Sequence, residues 1–195
     1  MKKLCWTIAT LTIGLALTGN PASAQSNVSC TGTLAAGTYN VVTVPAGQTC
    51  TFKAGVIVLA NVTVGAGGSL TAPGATINGS VTAKNAASVS VGANTTIGVN
   101  VQLVGTPGLI DIFNSTIGGS IQIVGSASTE SITVDTNIVT GSVTLANNDS
   151  GGNEVDNNTI GINLACSGNM PAPKDGSPAK PNTVSGNKTG QCAGL

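Results

Sequence analysis

Asn114-Ser115-Thr116-Ile117-Gly118-Gly119-Ser120-Ile121-Gln122-Ile123 is the stretch that decides the fold, because looser copies of it make up most of the chain. At its end, Ile121 and Ile123 alternate with Gln122. A period of two residues predicts a β-strand with one apolar and one polar face. One such unit is too small to bury its own apolar face, so the repetition itself indicates how the core is built.

The copies share an aliphatic anchor that follows the pattern Asn/Thr-x-Ile-x-Gly-x-Val-x-aliphatic. These anchors are Ile77, Ile97, Ile117, Val139, Ile160 and Val184, at spacings of 20, 20, 22, 21 and 24 residues. Shorter alternating segments lie upstream of the copies and between them, for example Val42-Thr43-Val44 and Ile132-Thr133-Val134. Short strands at a fixed period of this size predict stacked coils, each paired with the coil above and the coil below.

The predicted fold is therefore all-β, a parallel β-helix with roughly 20–22 residues per coil. A left-handed helix of hexapeptide type has a six-residue period and a shorter coil, so the longer, irregular period favours the right-handed form. Asn94, Asn114 and Asn157 each precede an anchor by three residues, and Asn137 lies one place off this position. The spacing predicts a column of stacked asparagines in a turn of left-handed backbone conformation.

The Asn-x-x-Ile and Gly-x-Val-x-aliphatic units resemble those of the pectate-lyase-like superfamily of right-handed parallel β-helices. The end of the chain, from Asn182-Thr183-Val184-Ser185-Gly186 to Cys192, is similar to small secreted bacterial β-helix proteins of uncharacterised role. Enzymes of this superfamily use arginine or lysine bases with calcium-binding acids, or a set of aspartates. The chain contains no arginine and no histidine, so the lyase arrangement is not carried over to any position.

The start of the chain predicts a secretory signal peptide at residues 1–24. A basic start and an apolar run precede the small residues Ala22-Ser23-Ala24. The remaining residues, 25–195, are predicted to form a single domain, with an N-terminal cap at 25–50, regular coils at 51–165 and a C-terminal cap at 166–195. The C-terminal cap contains a proline-rich segment that is unsuited to strands. We expect a secreted, periplasmic or extracellular protein without a membrane span.

Four cysteines follow the predicted signal peptide, and an oxidising compartment favours their pairing as disulfides. Each of the pairs Cys30–Cys50 and Cys166–Cys192 brackets one end of the repeat array. Coils advance by about 4.8 Å each, so the two ends lie too far apart for cross-pairing, which requires Cα atoms within roughly 7 Å. We therefore predict that a disulfide pins each end of the solenoid.

Composition excludes several functions. Charged residues are 7% of the sequence, aromatic residues are 2%, and neither arginine nor histidine occurs. Nucleic acid binding needs basic patches or stacking aromatics and is not expected. No cofactor is predicted, apart from a calcium ion at a weak acidic candidate site consisting of Asp135, Asp149, Glu154 and Asp156. If Val134 aligns with Val155, Asp135 stacks on Asp156 at a spacing that also resembles the carboxylate pair of a retaining glycosidase.

A second candidate site is a column of outward-facing polar residues that recurs once per coil. It contains Thr43, Thr63, Thr82, Gln102, Gln122 and Thr144. Such a column suits hydrogen bonding to an extracellular glycan or to ordered water, although such side chains also stack well on a purely structural β-face. We expect a non-catalytic structural, surface or glycan-contacting protein; the alternatives are a polysaccharide hydrolase with an acidic site and, third, an ice-binding protein.

Overall fold

The structure is a computed structural model that describes residues 26–195, and the predicted signal peptide lies outside the described residues. The described chain is all-β. In chain order its strands are β1 (Val28–Ser29), β2 (Gly32–Leu34), β3 (Gly37–Tyr39), β4 (Val42–Val44), β5 (Thr49–Phe52), β6 (Val56–Val58), β7 (Val62–Val64), β8 (Ser69–Pro73), β9 (Thr76–Ile77), β10 (Val81–Lys84), β11 (Ser88–Gly92), β12 (Thr96–Ile97), β13 (Val101–Val104), β14 (Ile110–Phe113), β15 (Thr116–Ile117), β16 (Ile121–Val124), β17 (Ser131–Asp135), β18 (Ile138–Val139), β19 (Val143–Ala146), β20 (Gly152–Asp156), β21 (Thr159–Ile160), β22 (Leu164–Ser167), β23 (Thr183–Val184) and β24 (Lys188–Gly190).

These strands form three parallel sheets that run the length of a solenoid of about eight coils. Sheet A has the order β1-β4-β7-β10-β13-β16-β19-β22-β24, sheet B the order β2-β5-β8-β11-β14-β17-β20, and sheet C the order β23-β21-β18-β15-β12-β9-β6-β3. The chain passes from A to B to C and then begins the next coil. Every third strand therefore pairs with its equivalent one coil away, as the repeat predicted.

The register confirms the repeat alignment. Ile97 pairs with Ile77 on one side and with Ile117 on the other, and Val139, Ile160 and Val184 continue the row in sheet C. Within sheet B, Val134 pairs with Val155, as the acidic candidate site required. The right-handed sense of the coil stays a prediction.

The core consists almost entirely of aliphatic side chains in layers. Ile117, Ile121 and Ile123 of the repeat unit are fully buried, and Phe52 is the large aromatic side chain among the most deeply buried residues. Full burial of one such aliphatic side chain is worth about 1.5–3 kcal/mol. Since each coil contributes only a few of them, stability depends on the stacking of equivalent residues from one coil to the next.

The corner between sheets B and C contains a ladder of buried asparagines. The Asn158 Nδ2 group donates to the Val134 carbonyl at 2.8 Å and to Asn182 Oδ1 at 2.8 Å. In turn, Asn158 Oδ1 accepts from the backbone and the side-chain amide of Asn137, each at 3.0 Å. The ladder supplies hydrogen-bond partners to backbone groups that turn away from the sheets.

Asn137 therefore lies in the buried ladder and not in the outer column of asparagines in left-handed turns that the spacing predicted. The left-handed turn position is occupied by Asn94, Asn114 and Asn157, with φ values of 68°, 44° and 54°, and in the remaining coil by Thr136, with φ 57°. The next residue in each coil points inward, so Asn137 joins the buried ladder. Asn157 donates to the Thr136 hydroxyl at 2.8 Å, which keeps the outer column continuous.

A second buried ladder closes the corner between sheets A and B near the C-terminus. Asn148 Nδ2 donates to Asn169 Oδ1 at 2.8 Å, and Asn169 Nδ2 donates to Gln191 Oε1 at 3.1 Å. Gln191 completes the row because its own amide donates to the Asn169 carbonyl at 2.9 Å. The last coil is thus fixed by side-chain hydrogen bonds as well as by strand pairing.

Both predicted disulfides are present. Cys30 and Cys50 have Cα atoms 5.6 Å apart, and Cys166 and Cys192 have Cα atoms 5.3 Å apart. All four cysteines are buried. The first disulfide joins two successive coils at one end of the solenoid, and the second joins the last two coils at the other.

Strands of the solenoid extend close to both ends of the described chain. The segment 25–50 includes β1, β2 and β3, which form a complete first coil with one strand in each sheet. In the final coil, β22, β23 and β24 continue sheets A and C, whereas sheet B ends at β20. The proline-rich segment 170–181 lies where the next strand of sheet B would be, as expected for a segment with few backbone N–H donors.

Close coil stacking at Gly118 gives a first testable prediction. A Cβ atom at Gly118 would overlap the carbonyl oxygen of Gly98 in the preceding coil. Gly118→Ala is therefore expected to lower the free energy of unfolding by about 2 kcal/mol, since the backbone must shift to relieve the overlap. At Gly152 the nearest atom is the Ser131 hydroxyl at 3.4 Å, so Gly152→Ala is a matched control with a smaller effect. Urea denaturation of both variants measures the difference, and equal losses would contradict this account.

Candidate functional site

The polar column predicted on the solenoid surface is continuous in the structure and lies on sheet A. Each residue pairs directly with the next one along the column, without a break over six coils: Thr43, Thr63, Thr82, Gln102, Gln122 and Thr144. The column ends at Ala165, the partner of Thr144. All six side chains face outward, and each is exposed or half-buried.

A parallel column of short polar side chains borders the first one at the corner between sheets C and A. The Ser120 backbone N–H donates to Asn100 Oδ1 at 2.8 Å, and the Ser142 N–H donates to Ser120 Oγ at 3.0 Å. The Asn163 N–H donates to Ser142 Oγ at 3.2 Å. These bonds fix the side-chain oxygens of Asn100, Ser120 and Ser142. The amide and hydroxyl hydrogens of the same side chains are therefore held on a rigid surface.

Together the two columns line a depression of about 280 Å³ on sheet A. Its walls are Asn100, Gln102, Ser120, Ile121, Gln122, Ser142 and Thr144. A second depression of about 220 Å³ adjoins it through Gln102 and includes Thr63, Thr82 and Lys84. We call the surface that carries both depressions the amide–hydroxyl face.

Electrostatics and hydrogen-bonding chemistry limit what this face binds. Lys84 is the one charged side chain that lines either depression, and no aromatic side chain lines them. Amide and hydroxyl groups both donate and accept hydrogen bonds, so the face matches a neutral ligand rich in hydroxyl groups. Contacts of this type recur once per coil, about every 4.8 Å.

A threonine column on sheet C was missed by the sequence reasoning. Thr76, Thr96 and Thr116 pair in consecutive coils and are exposed. Ile57 and Ile138 interrupt the column on either side, at 38% and 57% exposure. A signal for it was present in the sequence, since threonine directly precedes most of the anchoring aliphatic residues.

The four predicted acidic candidates do not form a single cluster. Asp135 pairs with Asp156 across β17 and β20, and Glu154 lies two residues before Asp156 on the same sheet. Asp149 lies at a different corner, where it bridges Ala127 and Met170. Across residues 26–195 no group of three or more histidine, cysteine, aspartate or glutamate side chains is arranged so as to hold a metal ion.

Asp156 is an unusual member of this group because it is nearly inaccessible. Its strand position faces outward, yet only 5% of its surface is exposed, and its Oδ1 atom is buried without a hydrogen-bond partner. Burial raises the pKa of Asp156 to about 6, assisted by the adjacent Asp135 and by Glu154 and opposed by a hydrogen bond from the Gly176 backbone. Burial, with a smaller effect of Asp135, also raises the pKa of Asp111 on β14.

The described chain belongs by its architecture to the parallel β-solenoids, with a disulfide near each end and a polar face on sheet A. Comparisons with protein-family models, with curated proteins and with solved structures found no match for the chain. Among residues 26–195 there is no helix of the length and apolarity required to cross a membrane.

Proposed function

We propose that this protein is a non-catalytic, secreted β-solenoid that binds an extended neutral polysaccharide along its amide–hydroxyl face. The observation that carries the proposal is the unbroken pairing of outward polar residues from Thr43 to Thr144. The rigid column of Asn100, Ser120 and Ser142 beside it lines the same depression. The column of Asn100, Ser120 and Ser142 is held by hydrogen bonds, so its side chains lose little conformational entropy when a ligand binds.

The proposed ligand runs parallel to the solenoid axis. Equivalent donors and acceptors repeat in that direction once per coil, at about 4.8 Å, which is close to the advance per sugar of an extended glycan. Each sugar then meets a similar set of amide and hydroxyl groups. Because each hydrogen bond contributes only about 0.5–1.5 kcal/mol, affinity comes from many weak contacts and rises with chain length.

The cellular setting of this proposal is extracellular or periplasmic. The signal-like residues 1–24 and the two disulfides support secretion. The coil length and the repeat pattern support a relation to right-handed β-helices of the pectate-lyase-like superfamily. In this setting the protein contacts cell-surface or matrix glycans.

Hydrolysis is the less favoured function because of the position of the acidic pair. A retaining glycosidase needs two carboxyl groups that both reach the scissile bond. Asp156 is 5% exposed, and Gly176 of the segment 170–181 lies against it. A substrate therefore has no direct approach to the carboxyl group with the raised pKa.

Ice binding is a second candidate, and the threonine column of sheet C is the observation that favours it. Thr76, Thr96 and Thr116 present paired, exposed hydroxyl and methyl groups in consecutive coils. The run is only three threonines long before Ile57 and Ile138 interrupt it. If the wild-type protein shows thermal hysteresis and Thr96→Tyr on sheet C abolishes it, the protein binds ice through this face.

The main test is binding of neutral polysaccharides by variants of the amide–hydroxyl face. The double substitution Gln102→Leu and Gln122→Leu is expected to weaken binding at least tenfold to any neutral glycan that the wild-type protein binds, since two sets of hydrogen bonds are lost. The matched control, Thr51→Val with Thr71→Val on sheet B, should leave binding unchanged. A glycan array followed by calorimetry with oligosaccharides of increasing length measures both effects.

Two results would contradict this function. One is the absence of binding to every neutral glycan on the array. The other is release of reducing sugar by the wild-type protein that stops in Asp135→Asn, which would establish hydrolysis instead.

A further inference from the structure

The proline-rich segment 170–181, here called the strap, is attached to the open edge of sheet B by backbone hydrogen bonds. The Lys174 N–H donates to the Asn153 carbonyl and the Val155 N–H donates to the Lys174 carbonyl, both at 3.0 Å. Further along, the Asn157 N–H donates to the Lys180 carbonyl at 2.7 Å. The strap thus satisfies an edge strand that is otherwise open to solvent.

The strap also covers carboxylates that have too few partners. Gly176 lies so close to Asp156 that a Cβ atom there would be 2.6 Å from Asp156 Oδ2. Two carboxylate oxygens, Asp156 Oδ1 on β20 and Asp175 Oδ1 on the strap, are buried without a hydrogen-bond partner. For Asp156, an ionised carboxylate in such a place is costly, whereas a protonated one is tolerated.

The charged surroundings of Asp156 increase this cost. Asp135 faces it from β17 and Glu154 lies on its own strand, while the strap contributes Lys174, whose backbone bridges Glu154, and Asp175. Neighbouring carboxylates raise the pKa of Asp156 further, as described above. When it is protonated, Asp156 can donate its proton to the Asp135 carboxylate, which removes the repulsion between them.

We propose that the strap is a pH-sensitive latch: it is held most firmly on β20 while Asp156 is protonated, and it lifts from the edge of sheet B more readily when Asp156 ionises. Opening separates Gly176 from the carboxylates and admits water to Asp156. It also frees the edge N–H groups of Val155 and Asn157. The remainder of the solenoid stays folded, because the disulfide between Cys166 and Cys192 and the buried asparagine ladders hold the last coil on either side of the strap.

The direction of the pH dependence follows from proton linkage. The closed state holds the Asp156 proton more tightly than the open state, in which the pKa returns toward its ordinary value of 3.8. Closure is therefore most stable below the ordinary pKa of 3.8, weakens as the pH rises from there to about 6, and changes little above that value. For these two pKa values the equilibrium constant for opening of the strap increases about tenfold between about pH 5 and pH 7.5.

Amide hydrogen exchange, followed by NMR on the full chain with its disulfides formed, tests the latch. After correction for intrinsic rates, protection of the Val155, Asn157 and Lys174 amides should fall about tenfold from pH 5 to pH 7.5. The Ile121 amide in the middle of sheet A should keep its protection. In Asp156→Asn, which cannot ionise, the strap amides should show the same protection at both pH values.

Two further variants separate the effect of Asp156 from that of other acidic residues. Glu130→Gln removes an exposed acid away from the strap and should behave as the wild type. Asp135→Asn removes a charge that raises the pKa of Asp156, so the loss of protection should move to a lower midpoint pH than in the wild type. Equal protection of the wild-type strap at pH 5 and pH 7.5, or the same loss in Asp156→Asn as in the wild type, would overturn the latch.

Discussion

Substitution of Asn158 by alanine is expected to lower the free energy of unfolding by about 3–4 kcal/mol, a large effect for a single polar side chain. The reason is the central position of Asn158 in the buried ladder. Its removal takes a donor from the Val134 carbonyl and an acceptor from the Asn137 backbone N–H. Each buried backbone group left without a partner costs about 1–3 kcal/mol.

Chemical denaturation monitored by circular dichroism measures this loss, and Asn78→Ala is the matched control. Asn78 is an exposed asparagine that directly follows β9, so its replacement should change the stability by no more than about 0.5 kcal/mol. A loss below about 1 kcal/mol for Asn158→Ala would mean that water replaces the amide, and that the ladder contributes little to stability.

Removal of the disulfide between Cys166 and Cys192 is the second change with a large expected effect. The bond closes a loop of 26 residues in the unfolded chain, and the chain-entropy relation gives about 3.5 kcal/mol for a loop of this size. Cys166→Ala with Cys192→Ala is therefore expected to destabilise the protein by that amount. The effect should concentrate in the last coil, because stability in a solenoid depends on contacts between neighbouring coils.

Limited proteolysis with trypsin, together with denaturation, separates this local effect from a global one. In the double variant, cleavage after Lys174 and Lys188 should accelerate, whereas cleavage after Lys53, near the opposite end, should stay at the wild-type rate. Equal acceleration at all three lysines would show that the bond stabilises the whole solenoid rather than its end.

The fold was predictable because one rule generates most of it. A period-two pattern that recurs every 20–22 residues specifies both the strand and the stacking partner, and the pairing of Ile77, Ile97 and Ile117 follows directly. The disulfides followed from the same rule, since a stack keeps its two ends apart. The column from Thr43 to Thr144 was predictable as a row because equivalent residues in successive coils must be neighbours.

The features that sequence reasoning missed depend on where irregular segments lie. Thr136 rather than Asn137 occupies the left-handed turn, because the coil that precedes it is longer and the position of the turn is fixed by the anchor Val139 and not by residue type. The burial of Asp156 depends on the strap, whose path over sheet B no periodicity specifies. For that reason the acids were predictable as neighbours, whereas the inaccessibility of Asp156 was not.

The coils from Ile77 to Ile117 are separated by 20 residues and have the same register in sheet C. A tandem duplication of one such unit would insert a complete coil without disturbing the partners on either side of it. The length of the molecule is in this sense a count of repeats, and each added repeat extends every surface column by one residue. Under the proposed function, affinity for a long glycan is thus open to change by recombination between repeats, in steps of one coil, with no new side-chain chemistry required.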